Sequence, residues 1–176
     1  EEGIDLIPSN IELSGVEISL FNAISRELVL NNCIEHFKND YDYILIDCPP
    51  SLGLVTTNAL NCSDTVMIPI QCEYYALEGL SQLVSSIRMV KRSSNPQIDI
   101  EGIVLTMYDS RTNLTIQVAE EVKKYFGSKV FKTVIPRNVR LAEAPSHGLP
   151  IHVYDPRSQG AESYRQLAQE LIKRNR

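Results

Sequence analysis

The chain has 176 residues, 43% hydrophobic and 22% charged, with 17 basic and 22 acidic side chains giving a net charge of −5. That length and composition suit one ordinary globular core, and the acidic balance argues against attraction of the whole surface to nucleic acid. No apolar run approaches the roughly 18 residues a membrane-spanning helix needs, and the acidic start is unlike a secretory signal.

Residues 4–8 ("IDLIP") read as a short strand ended by proline. From about Leu13 to Lys38 apolar residues recur at helical spacing, which predicts two helices broken near Ser25 and Arg26. Residues 43–47 read as a strand, 54–61 as a short helix and 65–70 ("TVMIPI") as a second buried strand. A helix over 76–92 follows, with Leu77, Leu80, Leu83, Val84, Ile87 and Val90 on one face. Residues 100–107 form a third strand, 115–126 an amphipathic helix that Gly127 is placed to end, and 130–136 a further strand. After an irregular stretch, 161–174 read as a terminal helix with Tyr164, Leu167, Ala168 and Leu171 facing inward. Strands that alternate with helices, several of them apolar on both faces, predict an α/β domain with a mostly parallel sheet flanked by helices. With no repeat, low-complexity tract or linker, residues 1–176 are expected to be one unit.

Charge is unevenly spread. Residues 1–50 carry 2 basic and 10 acidic side chains, whereas residues 101–176 carry 12 basic and 8 acidic ones. A local basic face on an acidic protein is compatible with this, as is ordinary surface scatter. The four cysteines, Cys33, Cys48, Cys62 and Cys72, show neither CxxC nor Cys/His ligand spacing. Reduced thiols are therefore expected, and a structural zinc is not.

In sheets of this class ligands gather at the carboxyl ends of strands. The strand ends here are Asp47-Cys48-Pro49-Pro50, Pro69-Ile70-Gln71, Thr106-Met107-Tyr108-Asp109 and Pro136-Arg137-Asn138. An apolar strand ending on Asp47 suits a Walker-B carboxylate that helps to hold Mg²⁺ beside a nucleoside triphosphate. A helix cap or turn former is the structural alternative. A phosphate-cradling loop needs clustered glycines. The eight glycines, at 3, 15, 53, 79, 102, 127, 148 and 160, are never closer than 12 positions, and no GxxxxGK[ST] or GxGxxG is present. His36, His147 and His152 lack a nucleophile at a recognisable spacing.

The strings "YDYILIDCPPSLGLVTTNAL" (41–60), "VMIPIQCEYYALEGLSQL" (66–83), "IEGIVLTMYDSRTNLTIQVAEEVKKYFG" (100–127) and "VFKTVIPRNVRLAEAPSHGLPIHVYDPRSQGAESYRQLAQEL" (130–171) closely resemble the ParA/Soj family of partitioning ATPases. That family has a deviant Walker motif, and the resemblance covers essentially the whole chain. It implies a P-loop NTPase-like fold that binds ATP and Mg²⁺, dimerises when ATP-bound and coats nucleoid DNA without sequence preference. A ParB-like centromere-binding partner then stimulates hydrolysis, and the expected location is cytoplasmic and nucleoid-associated.

By the same resemblance Asp47 is the catalytic Walker-B residue, holding Mg²⁺ through water, and Cys48, Pro49, Pro50 and Ser51 form the adjacent switch. Pro136, Arg137 and Asn138 approach the adenine base, and Arg111 and Arg140 contact DNA. The structural alternatives are that Arg140 pairs with Glu143 and that Arg111 caps a loop. The family's first strand, its "KGGVGKT"-type loop and the acidic segment after its second strand have no counterpart here. The chain is thus expected to be the C-terminal portion of one ParA-type domain, unable by itself to hydrolyse ATP.

Two other readings compete: a non-catalytic DNA- or partner-binding fragment, and a MinD-like or cargo-positioning relative. The terminal helix lacks the apolar face of a membrane-targeting helix, which disfavours membrane attachment.

Overall fold

The computed structural model describes residues 3–176, which form two compact units. One comprises the residues up to Asp64 together with Ser86–Ile98, and the other comprises Thr65–Ser85 with Asp99–Arg176.

In the first unit a 3-10 turn (Ile11–Gly15) leads into α1 (Val16–Ser19), and a second 3-10 turn (Arg26–Leu28) leads into α2 (Val29–Ile34). The expected break is present at Ser25, whose φ of 53° is left-handed. The flanking helices are much shorter than the periodicity predicts. Ile18, Phe21 and Ile24, which should form their apolar stripe, are exposed. A helix of this size owes its stability to burial of that stripe, so without burial it stops after a turn or two.

The two expected strands at 4–8 and 43–47 are also unformed. A strand exists by its ladder, and among the described residues neither segment has a pairing partner; Leu6 and Leu45 are 81% and 82% exposed. What holds this unit is α3 (Leu54–Cys62). Asn58 is buried there and donates to the carbonyls of Arg26 (2.9 Å) and Leu54 (3.0 Å), while its Oδ1 accepts from the Leu30 amide at 3.1 Å. Asn61 donates to the Glu27 carbonyl. Asn95 donates to the carbonyls of Leu60 and Ser63 at 2.9 and 2.8 Å. The buried amides of Asn58 and Asn61 and the half-buried amide of Asn95 thus tie this unit together beside its buried Ile34, Ala59 and Leu60.

In the second unit β1 (Thr65–Gln71) and β2 (Asp99–Thr106) pair in parallel, with a register shift between Val66 and Met67. The connection between them is α4 (Ala76–Ser93), whose part up to Ser85 belongs to this unit and buries Leu80 and Val84, while its part from Ser86 belongs to the first unit and buries Ile87 and Val90, as the spacing predicts. Next comes α5 (Asn113–Phe126), which ends at Gly127 and buries Val118, Ala119 and Val122. Residues 130–136 lie along β2, with parallel bridges at Ile103–Val130 and, just past the strand, Tyr108–Pro136, and with the Ile135 amide donating to the Leu105 carbonyl. Between those bridges the regular strand expected from sequence is interrupted.

The interruption has a visible cause. The amides of Lys132 and Thr133 donate, each at 2.9 Å, to the two carboxylate oxygens of Glu170. Glu170 lies on α8 (Gln159–Arg174), which Ser158 caps by accepting from the Ala161 amide. Desolvation works to raise the Glu170 carboxyl, but the Lys132 and Thr133 amides, the Thr133 hydroxyl and Arg174 outweigh it and hold the group at about 2. The stabilisation from Glu170 is thus complete above its ordinary value of 4.5 and is lost as pH falls through about 2.

On α8, Leu167 is buried and Leu171 packs against the same cluster of Val104, Phe131 and Ile135. Tyr164 and Ala168, expected inside, are exposed. The stretch read as irregular contains two short helices, α6 (Val139–Glu143) and α7 (Ile151–Tyr154).

Candidate functional site

In the first unit Asp47 ends the apolar run and is exposed, as are Cys48, Pro49, Pro50 and Ser51. The segment is fastened from the helix that follows it. Thr56 of α3 is buried and donates its hydroxyl to the Ser51 carbonyl at 2.6 Å, and Thr57 donates to the Gly53 carbonyl at 3.0 Å. Partial desolvation of the sulfur, and then the Asp47 charge, push the Cys48 thiol above its ordinary value.

In the second unit the carboxyl ends of β1 and β2 and the bridge at Pro136 open onto one cleft of about 930 Å³. Ile70, Leu80 and Leu83 supply apolar walls, while Gln71, Asp109 and Arg137 bring polar groups. Arg137 is held by its backbone, its amide donating to the Tyr108 carbonyl at 3.1 Å, and its guanidinium lies 3.5 Å from the Glu73 carboxylate. Asn138 accepts from the Arg140 amide at 2.9 Å and so caps α6. Met107, at the end of β2, has a left-handed φ of 51°, a strained backbone on the cleft wall.

Three features escape sequence reasoning: the Glu73–Arg137 pair, the edge-to-face contact of Tyr74 with Tyr75 at 5.2 Å, and the strain at Met107. Two of them lie between residues distant in sequence or on a backbone angle that no local pattern announces. "EYY" at 73–75 is the one signal that was available, as exposed aromatics beside a strand end.

Both candidate DNA-contacting arginines are paired. Arg111 makes a two-pronged contact with Asp109, at 2.9 Å through Nε and 2.7 Å through a terminal nitrogen, and its amide donates to the same carboxylate at 3.0 Å. This holds the Asp109 carboxyl well below the usual carboxylate range. The Arg111 side chain is nonetheless 86% exposed. Arg140 lies 2.9 Å from Glu143 and 3.4 Å from Asp155, so the helical i,i+3 pair weighed at sequence level is present.

The cleft is within the size range of small-molecule sites in general, roughly 300–1,000 Å³, and has apolar walls with one guanidinium. Asp47 suits a divalent cation held through water, since one carboxylate is its whole donor set. Among the described residues no group of three or more metal-ligating side chains converges. The dispersed glycines supply no cradle for phosphates. Of the residues expected at the adenine, Arg137 lines the cleft, whereas Pro136 and Asn138 do not.

A family model described as an AAA domain matches residues 1–100. Over 170 residues the chain is 64% identical to the sporulation initiation inhibitor protein Soj of Bacillus subtilis, covering 97% of this chain and 67% of Soj. It is 53% identical over 172 residues to the chromosome partitioning protein ParA of Myxococcus xanthus, covering 98% of this chain and 61% of that protein. The chain thus spans about two thirds of the length of these relatives. Among solved structures, cobyrinic acid a,c-diamide synthase of Mycobacterium smegmatis, with bound ATP analog and magnesium, matches at a TM-score of 0.80 and 34% identity. That match covers 98% of this chain and 64% of the synthase, and it bears out the α/β fold with a parallel sheet. With identity this high running from end to end, the chain belongs to the ParA/Soj family of partitioning ATPases.

Proposed function

We propose that this chain is the switch and base-binding portion of a partitioning ATPase that binds ATP with Mg²⁺, dimerises around it and associates with DNA without sequence preference. Together with a ParB-like partner it segregates a chromosome or plasmid. The observation that carries this reading is the 64% identity to Soj across 97% of the chain.

Within this reading Asp47 holds the Mg²⁺ through water, Cys48 to Ser51 respond to the nucleotide's state, and Pro136, Arg137 and Asn138 meet the adenine. The bound cation supplies charge stabilisation to the phosphates. Asp47→Ala in the complete protein is expected to lower Mg·ATP turnover by roughly 100-fold, as loss of a partner in the shell around a metal does. Turnover at the normal rate in that variant would remove Asp47 from the site.

For DNA, Arg111 is the better placed of the two arginines, because its side chain stays 86% exposed while Asp109 orients it. Arg111→Ala and Arg140→Ala in the ATP-bound dimer are each expected to weaken binding equally on unrelated sequences. Each should also lower the slope of log affinity against log salt by about 1. A salt slope unchanged in both variants would assign them to their ion pairs alone. A membrane-attached relative is disfavoured because Arg174, in the basic tail, donates to the Val130 carbonyl at 3.1 Å and to Glu170 at 2.9 Å. No described helix is long and apolar enough to cross a membrane.

A further inference from the structure

Resting on the base-contact reading of Arg137, we propose that α8 is a splint that sets where Arg137 and Asn138 stand, with Glu170 and Gly160 as its two positioning residues. Residues 130–143 run past α8 and are gripped at both ends. At one end Glu170 receives the amides of Lys132 and Thr133, at 2.9 Å each, from a stretch that has left the β ladder. At the other end Gly160 faces Leu141, so closely that a β-carbon on Gly160 would lie 2.6 Å from the Leu141 Cγ. Arg137 and Asn138 sit between these grips.

Each grip bears on the base-binding residues through a short path. Ile135, three residues beyond the Glu170 grip, donates to the Leu105 carbonyl at 2.8 Å and accepts from the Tyr108 amide at 3.0 Å. Tyr108 in turn accepts from the Arg137 amide. Asn138 caps the helix that carries Leu141. Shifting α8 by a fraction of an ångström therefore changes both the length of the interrupted strand and the start of α6. A regular strand over residues 130–136 would need no such external support. The carboxylate fixes how the extra slack in this one is laid out.

The test uses the complete protein and four variants: Glu170→Gln, which turns one acceptor into a donor facing an amide; Gly160→Ala; Arg137→Ala; and Arg137→Ala combined with Glu170→Gln. The measurements are KM and kcat for ATP, and the KM effect of Glu170→Gln with and without Arg137. Small misplacement of a binding group weakens it steeply, so Glu170→Gln and Gly160→Ala should each raise KM about tenfold while kcat moves less than about twofold. In the Arg137→Ala background Glu170→Gln should raise KM by clearly less than it does alone, because the part of its effect that passes through Arg137 is already gone. A general loss of folding would instead lower kcat through the fraction of active protein and leave KM unchanged. If Arg137→Ala raises KM but neither α8 variant does, the splint is wrong and the base contact stands. If Glu170→Gln raises KM equally in both backgrounds, Glu170 does not act through Arg137 and the inference falls. An unchanged KM in Arg137→Ala overturns the base contact, and the splint with it.

Discussion

Gly102→Val is expected to destabilise the protein by about 3 kcal/mol, the upper range for forcing atoms into a packed interior. Gly102 lies on β2, where residues 130–136 come alongside. A β-carbon there would meet the Phe131 ring at 2.5 Å and the Lys129 carbonyl oxygen at 2.6 Å. A ring at the end of a rotatable bond can swing away, but a backbone carbonyl cannot move without shifting the strand. That carbonyl also lies 3.5 Å from a nitrogen of Arg174, so displacing it disturbs α8 as well. Urea unfolding should read the change as a midpoint lower by about 1 M or more, for a slope of about 1–3 kcal/mol/M. A midpoint equal to that of the unsubstituted protein would mean that the two strands are not packed this closely.

Phe131→Ala should cost about 3–5 kcal/mol, as truncation of a fully buried aromatic does. Phe131 is 1% exposed and packs with Val104, Ile135 and Leu167, so it joins β2, the interrupted strand and α8. Its ring face is covered by the Arg174 guanidinium, whose carbon lies 3.8 Å from the ring centroid. The same guanidinium donates to the Val130 carbonyl, so its charge is directed by the backbone onto the ring. A double-mutant cycle of Phe131→Leu with Arg174→Gln should give a coupling of about 0.5–2 kcal/mol, the range of a cation held over an aromatic face. Additive effects in that cycle would show that the stacking contributes nothing beyond burial.

Much of the second unit was legible in its sequence because local pattern and final environment agree there. The stripe of Leu80 and Val84 finds a core, and the apolar run of β2 buries Ile103, Val104 and Leu105. In the first unit the same kind of pattern misleads. Residues 43–47 are as apolar as β1, and the stripe of Ile18, Phe21 and Ile24 is as regular as that of α4. Neither forms its element, because periodicity states what a segment can bury and not whether a partner is there to bury it. On α8, Tyr164 and Ala168 show a finer limit. The stripe that faces inward is narrower than the apolar positions suggest, since Glu170 and Arg174 claim the space beside Leu167 and Leu171 with polar contacts.

The candidate site divides in the same way. Asp47, Arg137 and Asn138 could be picked out because each follows an apolar run and ends on a polar residue. The partner that gives Arg137 its geometry could not, since Glu73 is brought beside it by the fold alone. Arg111 and Asp109 are the exception, two residues apart in a turn, where an aspartate accepting from the amide two positions on is a recurrent local motif.

The carboxylate of Glu170 also has a meaning for how the protein keeps to itself. The outer strand of a sheet offers unpaired amides to any other extended chain, and that is how folded proteins begin to stack into fibrils. Here the amides of Lys132 and Thr133 are already engaged by a side chain from the same molecule, so neither is open to a stray strand. Because the carboxyl loses its charge only as pH falls through about 2, that protection persists across all but strongly acidic solution.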